Sequence, residues 1–348
     1  MADRALLVAV DTGRGDIDPE IAELAALAGA CGAEIVEEIV QKRDAVDPAT
    51  LVGSGKAREI ADVAKDRECS LVLMLNDLRP RQRNNLEKIV PVPIVDRTML
   101  ILDVFAQHAR SREGKLQVEL AQLRYRQSNL IGVGADLSRL GGGIGTRGPG
   151  ETKLETDRRR IAQRISVLGR QLETVRRQRA TRRAGRGGEP LIALVGYTNV
   201  GKSSLLNRLA RSDALVADQP FATLDPTVRR AWLGGSTYAR IVDTVGFITD
   251  LPKDLVTAFR ATLEELQDAS LLVQVNDAAN ADWPRQMQAV DATLHDLELD
   301  RKPRLLLFNK CDEAAALPAV EGALFVSART GQGIDALREA LATALAHV

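Results

Sequence analysis

Cysteine is scarce. The chain carries three in 348 residues, Cys31, Cys69 and Cys311. An odd number at wide spacing builds no disulfide framework and fits a reducing compartment. Histidine is equally sparse: His108, His295 and His347 lie near no cysteine at ligand spacing, so no structural zinc site is expected. Aromatic residues make up 3% of the chain, which leaves few rings for stacking on unpaired bases. No apolar run approaches the length of a bilayer span and no charged-then-apolar leader opens the chain. The expected address is therefore cytoplasmic, with no membrane partner. Net charge is zero, so global electrostatics names no partner either.

What is present is ordinary in bulk and uneven in detail. Apolar residues at 45% and charged residues at 27% describe a globular chain, and the length suits two or three domains. Ala5–Val10, Ala33–Val40, Ser70–Leu75 and Val92–Val95 read as strands with helical patterns between them, which predicts a mostly parallel sheet in an α/β lobe over residues 1–109. Leu116, Leu120, Leu123 and Leu130 then keep steps of four, three and seven. Leu154, Ile161, Ile165, Leu168, Leu172 and Val175 repeat the pattern. Two such stripes predict a long antiparallel helical hairpin over 110–186. Between them, Gly141 to Gly150 is too rich in glycine and proline for helix and reads as a tip loop. Arg158 to Arg186 holds eleven arginines and one acid, Glu173. Such a run is a solvated helix face or a contact for RNA phosphates. Ala184–Gly188 reads as a linker. From 190 to 348 strands and helices alternate, which predicts a doubly wound sheet with a nucleotide pocket at the strand C-terminal ends.

The motifs in that last segment carry specific chemistry. Gly196-Tyr197-Thr198-Asn199-Val200-Gly201-Lys202-Ser203 follows the strand Leu191–Val195 and opens a helix, as a P-loop requires. Its backbone N–H groups and helix N-terminus suit phosphates. Lys202 is placed for the β- and γ-phosphates, and Ser203 for Mg²⁺. Asp243-Thr244-Val245-Gly246 ends a second strand: an aspartate there can hold Mg²⁺ through water, and the Gly246 N–H can approach a γ-phosphate. Asn309-Lys310-Cys311-Asp312 ends a third. The Asp312 carboxylate can accept from guanine N1–H and the exocyclic amine, and adenine offers neither, a discrimination of ~10⁴-fold or more. Ser327-Ala328-Arg329 would place the Ala328 N–H near guanine O6. In this order the pieces resemble the TRAFAC class of GTPases, which implies GTP as substrate and Mg²⁺ as cofactor. Gly143-Ile144-Gly145-Thr146-Arg147-Gly148 matches a dinucleotide fingerprint, but a helical stripe precedes it where a strand is needed.

Between the P-loop and Asp243 lies a switch segment, Phe221-Ala222-Thr223-Leu224-Asp225-Pro226-Thr227. It needs a threonine to ligate Mg²⁺ and sense the γ-phosphate, and Thr223 and Thr227 compete. Directly after Gly246, where many signalling GTPases place a glutamine that orients water, stands Phe247. A phenyl ring cannot hydrogen-bond water. Slow intrinsic hydrolysis, accelerated by a partner that orders the switches or supplies a group, is expected; the other reading is that Phe247 points away and another residue orients the water.

The whole chain resembles the HflX family of ribosome-associated GTPases. The resemblance rests on Val52–Lys56, Leu78–Glu87, Asp96-Arg97, the glycine loop with Glu151–Asp157, the switch Phe221–Thr227, and Asp243–Phe247. It favours Thr223 over Thr227. It assigns catalysis to Lys202, Thr223 and Gly246, and metal ligation to Ser203 and Thr223. Nucleotide contacts are implied along 196–203, 221–225, 243–246, 309–312 and 327–329. It also implies binding to the large ribosomal subunit, through ribosomal RNA, and nucleotide-dependent splitting or rescue of ribosomes. Some members continue into a small C-terminal domain, whose functions are not expected of a chain ending at Val348. A monomer is expected. Two other readings stand beside this one: a GTP-switched RNA-binding module with slow hydrolysis, and a coiled-coil scaffold.

Overall fold

The computed structural model describes residues 2–13, 15–140, 149–184, 188–211, 220–221, 223–249 and 266–347. They form two compact units: Met1–Gln107 with Lys115–Thr174, and His108–Gly114 with Val175–Val348.

In the first unit, Ala5 to Val10 are six consecutive apolar residues, all buried. A strand apolar on both faces belongs inside a parallel sheet. This strand, β1 (Asp3–Asp11), pairs in parallel with β2 (Ala33–Lys42) and β3 (Leu71–Met74), and β3 pairs with β4 (Ile94–Asp96), in the order β2-β1-β3-β4. The crossovers are α1 (Asp18–Ala30), α2 (Ser54–Asp66) and α3 (Pro80–Glu87), and α4 (Arg97–His108) follows β4. The last strand starts at Ile94, not Val92. Pro91 and Pro93 carry no N–H for a ladder, and Pro93 joins it only through its carbonyl, which accepts from Val72 N–H at 2.9 Å. Gly53, at φ +85, turns the chain into α2, and Ser54 to Lys56 are the first residues of that helix.

The hairpin stripes meet as their spacing requires. Helix α5 (Arg112–Leu140) and α6 (Pro149–Ala184) share a core of Leu120, Leu168 and Leu172, with Leu116, Leu123 and Ile165 packed against it. Arg164 and Glu119 bridge the pair at 2.7 Å. The tip loop is shorter than expected, because Pro149 and Gly150 form the first turn of α6. Proline suits that position: its missing N–H would be unpaired there anyway. Residues 141–148 of the loop, Arg147 among them, and 185–187 of the linker lie outside the described residues.

The second unit holds a six-stranded sheet of order β10-β9-β8-β5-β7-β6. The strands are β5 (Leu191–Gly196), β6 (Thr227–Gly234), β7 (Thr237–Asp243), β8 (Leu271–Asp277), β9 (Arg304–Asn309) and β10 (Leu324–Phe325). Helices α7 (Lys202–Ala210), α8 (Trp283–Asp296) and α9 (Ile334–Ala346) accompany them. Every residue of β5 and β8 is buried. All pairings are parallel except β6 with β7. Strand β6 was not expected. It alternates exposed Val228, Arg230 and Trp232 with buried Ala231 and Leu233, as an edge strand with one covered face does.

Candidate functional site

The P-loop leaves β5 at the centre of the sheet, and the other motifs leave β7, β9 and β10 at the same C-terminal edge. They surround a cleft of about 440 Å³ lined by Thr198, Asn199, Gly201 to Ser203, Phe221, Thr223, Thr244, Gly246, Asn309, Lys310, Asp312 and Ser327 to Arg329. Ser204 and Glu313 also line it, each one residue past a recognised motif. Tyr197, Val200, Leu224 and Val245 are buried behind the cleft wall. Ala222 lies outside the described residues.

The phosphate end is built around Lys202. Its ammonium is buried and donates to the carbonyls of Gly196 at 3.1 Å and Tyr197 at 2.7 Å. Burial pushes its pKa down to about 8, against the opposing pull of Asp243. Asp243 is itself raised by burial, with Lys202 and the Ser203 and Thr223 hydroxyls holding it down. An anion placed beside Lys202 would restore its full charge.

Three hard oxygen donors converge beside it. Ser203 Oγ donates to Asp243 Oδ2 at 2.5 Å and lies 2.8 Å from Thr223 Oγ1. The other oxygen, Asp243 Oδ1, is buried with no hydrogen-bond partner among the described residues. Two hydroxyls and a carboxylate with an unsatisfied oxygen suit Mg²⁺, which takes oxygen ligands and keeps several waters. Of the two competing threonines, Thr223 reaches this cluster. Thr227 opens β6 opposite Asp243 and is exposed.

The Asp-x-x-Gly segment is fastened to the P-loop. Thr198 N–H donates to the Phe247 carbonyl at 2.8 Å, and Phe247 N–H to the Gly196 carbonyl at 3.1 Å. Gly246 lies so close that a Cβ there would stand 2.8 Å from Thr198 Cα. The Phe247 ring is 1% exposed, inside the core. The Tyr197 hydroxyl holds the next turn, accepting from Thr249 N–H at 2.9 Å. Thr244 turns its hydroxyl into the sheet, onto the Leu194 carbonyl at 2.7 Å.

At the base end, Asn309 is a strut between motifs. Its Nδ2 donates to the Val200 carbonyl at 2.9 Å, and its Oδ1 accepts from Ala328 N–H at 3.0 Å. Lys310 Nζ pairs with Asp277 at 2.7 Å, which stretches its aliphatic stem along the loop. Cys311 N–H donates to the Val326 carbonyl at 3.1 Å. Asp312 stays ionised: the Ser327 hydroxyl and then Arg329 hold its carboxyl below the usual range.

One expected contact points elsewhere. The Asp225 carboxylate accepts from the backbone N–H groups of Arg110 and Ser111, at 2.9 and 2.6 Å, and from the Ser111 hydroxyl. Motif reading missed Arg110 and Ser111, which lie far upstream of the P-loop. The available signal was a serine just before a helical stripe, the mark of an N-cap.

Outside the cleft, Arg83 and the buried Asp96, both from segments that carry the family resemblance, form a half-buried ion pair, and the Tyr125 hydroxyl donates to Asp96 at 2.5 Å. Tyr125, the one hairpin aromatic, is thus occupied within its own unit. The described arginine side chains of α6, at 158, 159, 160, 164, 170 and 177, are exposed. Arg159, Arg160 and Arg164 have carboxylates within 3.7, 3.9 and 2.7 Å. Among the described residues, no helix is long and apolar enough to cross a membrane.

Comparison with known proteins agrees with this geometry. Three family models match in chain order: GTP-binding GTPase N-terminal over residues 18–106, GTP-binding GTPase Middle Region over 108–186, and 50S ribosome-binding GTPase over 191–310. The GTPase HflX of Caldanaerobacter subterraneus subsp. tengcongensis is 45% identical over 342 residues, spanning 97% of this chain and 80% of the relative. That of Alkalihalophilus pseudofirmus is 47% identical over 315 residues, spanning 89% and 74%. That of Escherichia coli is 44% identical over 332 residues, spanning 92% and 78%. The crystal structure of SsGBP in complex with GDP shares the fold, with a TM-score of 0.52 at 23% identity over 99% of this chain and 98% of that one. The chain belongs to the HflX family of GTPases, and its reaction is the hydrolysis of GTP.

Proposed function

We propose that this GTPase binds the large ribosomal subunit and uses its nucleotide cycle to split or rescue ribosomes, with hydrolysis stimulated by the ribosome. The observation that carries the reading is the match of residues 191–310 to a 50S ribosome-binding GTPase model, downstream of an arginine-rich helix with exposed basic side chains. Such a helix meets folded RNA through phosphates and shape rather than base stacking.

Within the site, Lys202 and the P-loop amides hold the phosphates. Ser203 and Thr223 would hold Mg²⁺, with the Asp243 carboxylate beside them. When bound, the ion would neutralise charge on the transferred phosphoryl group. Gly246 N–H contacts the γ-phosphate, and Asp312 reads guanine. The Ala328 N–H stands near guanine O6, and Ser327 and Arg329 keep Asp312 ionised. The protein works as a cytoplasmic monomer. Its functional parts are an α/β domain over 1–109, a helical hairpin over 110–186 and a GTPase domain over 190–348.

The second reading, a GTP-switched RNA-binding module, keeps the same contacts but makes slow hydrolysis a timer for release. Co-sedimentation with ribosomes and isolated subunits in GDP, GTP and a non-hydrolysable analogue tests both. The splitting reading expects analogue-dependent binding to the large subunit, loss of intact ribosomes and faster GTP turnover. Binding without acceleration or splitting would favour the module.

A further inference from the structure

We propose that Ser111 is a positioning residue for the switch: it latches Asp225, so that Thr223, two residues earlier, is presented to the triphosphate end of the cleft. The inference rests on Thr223 acting as proposed above and adds the element that holds it there.

The Asp225 carboxylate reaches back from the switch segment to residues 110–111 and takes three donors from them. Its Oδ2 accepts from Arg110 N–H at 2.9 Å and Ser111 N–H at 2.6 Å; its Oδ1 accepts from the Ser111 hydroxyl. That hydroxyl also accepts from Gly114 N–H at 2.8 Å, so Ser111 caps α5 and holds Asp225 with one oxygen. A carboxylate over a helix N-terminus is favoured by the unpaired N–H groups and by the helix dipole.

Gly114 shows that the site is shaped for this carboxylate. It is buried in the first turn of α5, where glycine is a poor helix former. Any Cβ at that position would collide with Asp225 Oδ1. The turn gives up helix propensity and keeps room for the carboxylate. All of these residues lie in the unit that holds the nucleotide cleft.

The consequence is a linkage. Thr223 Oγ1 stands 2.8 Å from Ser203 Oγ while Asp225 is latched. A ligand that needs Thr223 favours the latched segment, and the latch favours that ligand by the same factor. A diphosphate lacks the group that Thr223 senses, so its affinity is indifferent to the latch. One charged hydrogen bond corresponds to about tenfold in an equilibrium constant.

The test uses the full chain and compares affinities for GDP and for a non-hydrolysable GTP analogue by fluorescence titration. Ser111→Ala, Asp225→Asn and Gly114→Ala are each expected to weaken the analogue about tenfold while GDP stays within about twofold. Ser111→Thr, which keeps the hydroxyl, restores the ratio. Amide exchange at residues 110, 111 and 114 slows with the analogue and not with GDP. A general loss of folding would lower both affinities together and move no ratio. Thr223→Ala is the reference. If it changes the ratio and the latch variants do not, the latch is overturned. If neither changes it, the role given to Thr223 has failed and the latch falls with it.

Discussion

Asn309 fills the space that a side chain at residue 201 would need. Its Nδ2 sits where a Cβ on Gly201 would go, and from there it donates to the Val200 carbonyl at 2.9 Å. The guanine motif thereby supports the phosphate loop from behind. Asn309→Ala leaves that buried carbonyl unpaired, at a cost of about 1–3 kcal/mol. Affinity for GDP and GTP should fall together, roughly 5- to 150-fold, with no change in their ratio. Titration with fluorescent nucleotides reads this directly. A selective loss of guanine over inosine nucleotides would instead mean that Asn309 acts on the base.

Phe247→Gln should not create a fast hydrolase. The ring is 1% exposed, and both backbone polar groups of Phe247 are bonded to the P-loop. A glutamine there would bury an amide in an apolar site, destabilising by roughly 1–3 kcal/mol. Single-turnover hydrolysis and urea unfolding, measured side by side, should show no gain in rate and a lower midpoint. A tenfold faster rate would mean the segment swings outward in the GTP state.

Asp312→Asn should move the preference from guanine to xanthine nucleotides, since the amide donates where the carboxylate accepted. The pH dependence follows from the same group. The Ser327 hydroxyl, then Arg329, hold this carboxyl below its usual range. A depressed carboxyl stays ionised as pH falls through the ordinary carboxylate value, and its contribution disappears only below that. GTP-over-ATP selectivity should therefore be flat from pH 8 to pH 5. A decline across that window would contradict the assignment.

Leu168→Ala should weaken the hairpin. Leu168 is fully buried against Leu120 and Leu172. Removing such a side chain costs about 2–5 kcal/mol. Urea unfolding followed by helix content should show the loss, while GDP affinity stays unchanged.

The nucleotide motifs were legible because each is a contiguous run whose chemistry is local. A P-loop between a strand and a helix leaves its lysine and serine little choice of position. The hairpin was legible from its leucine spacing, and Leu120 and Leu168 do meet. What stayed hidden depends on partners far away in the chain. Nothing near Asn309 announces that its amide will brace Val200. Phe247 reads as a missing glutamine or as a residue that points away; the fold turns its ring inward and ties its backbone to the P-loop. Strand β6 had a readable alternation, but it pairs against the direction of its parallel neighbours. Thr223 and Thr227 were indistinguishable by composition; the turn before β6 separates them by putting one at Ser203 and the other in the ladder.

The placement of His108–Gly114 with Val175–Val348 has a practical consequence. The compact unit that holds the nucleotide cleft also includes residues 108–114, far upstream of its motifs. A fragment beginning at Pro190 would keep every recognised GTPase motif and still lack Arg110 and Ser111. Its Asp225 would face water, and kinetics measured on it would describe an incomplete protein.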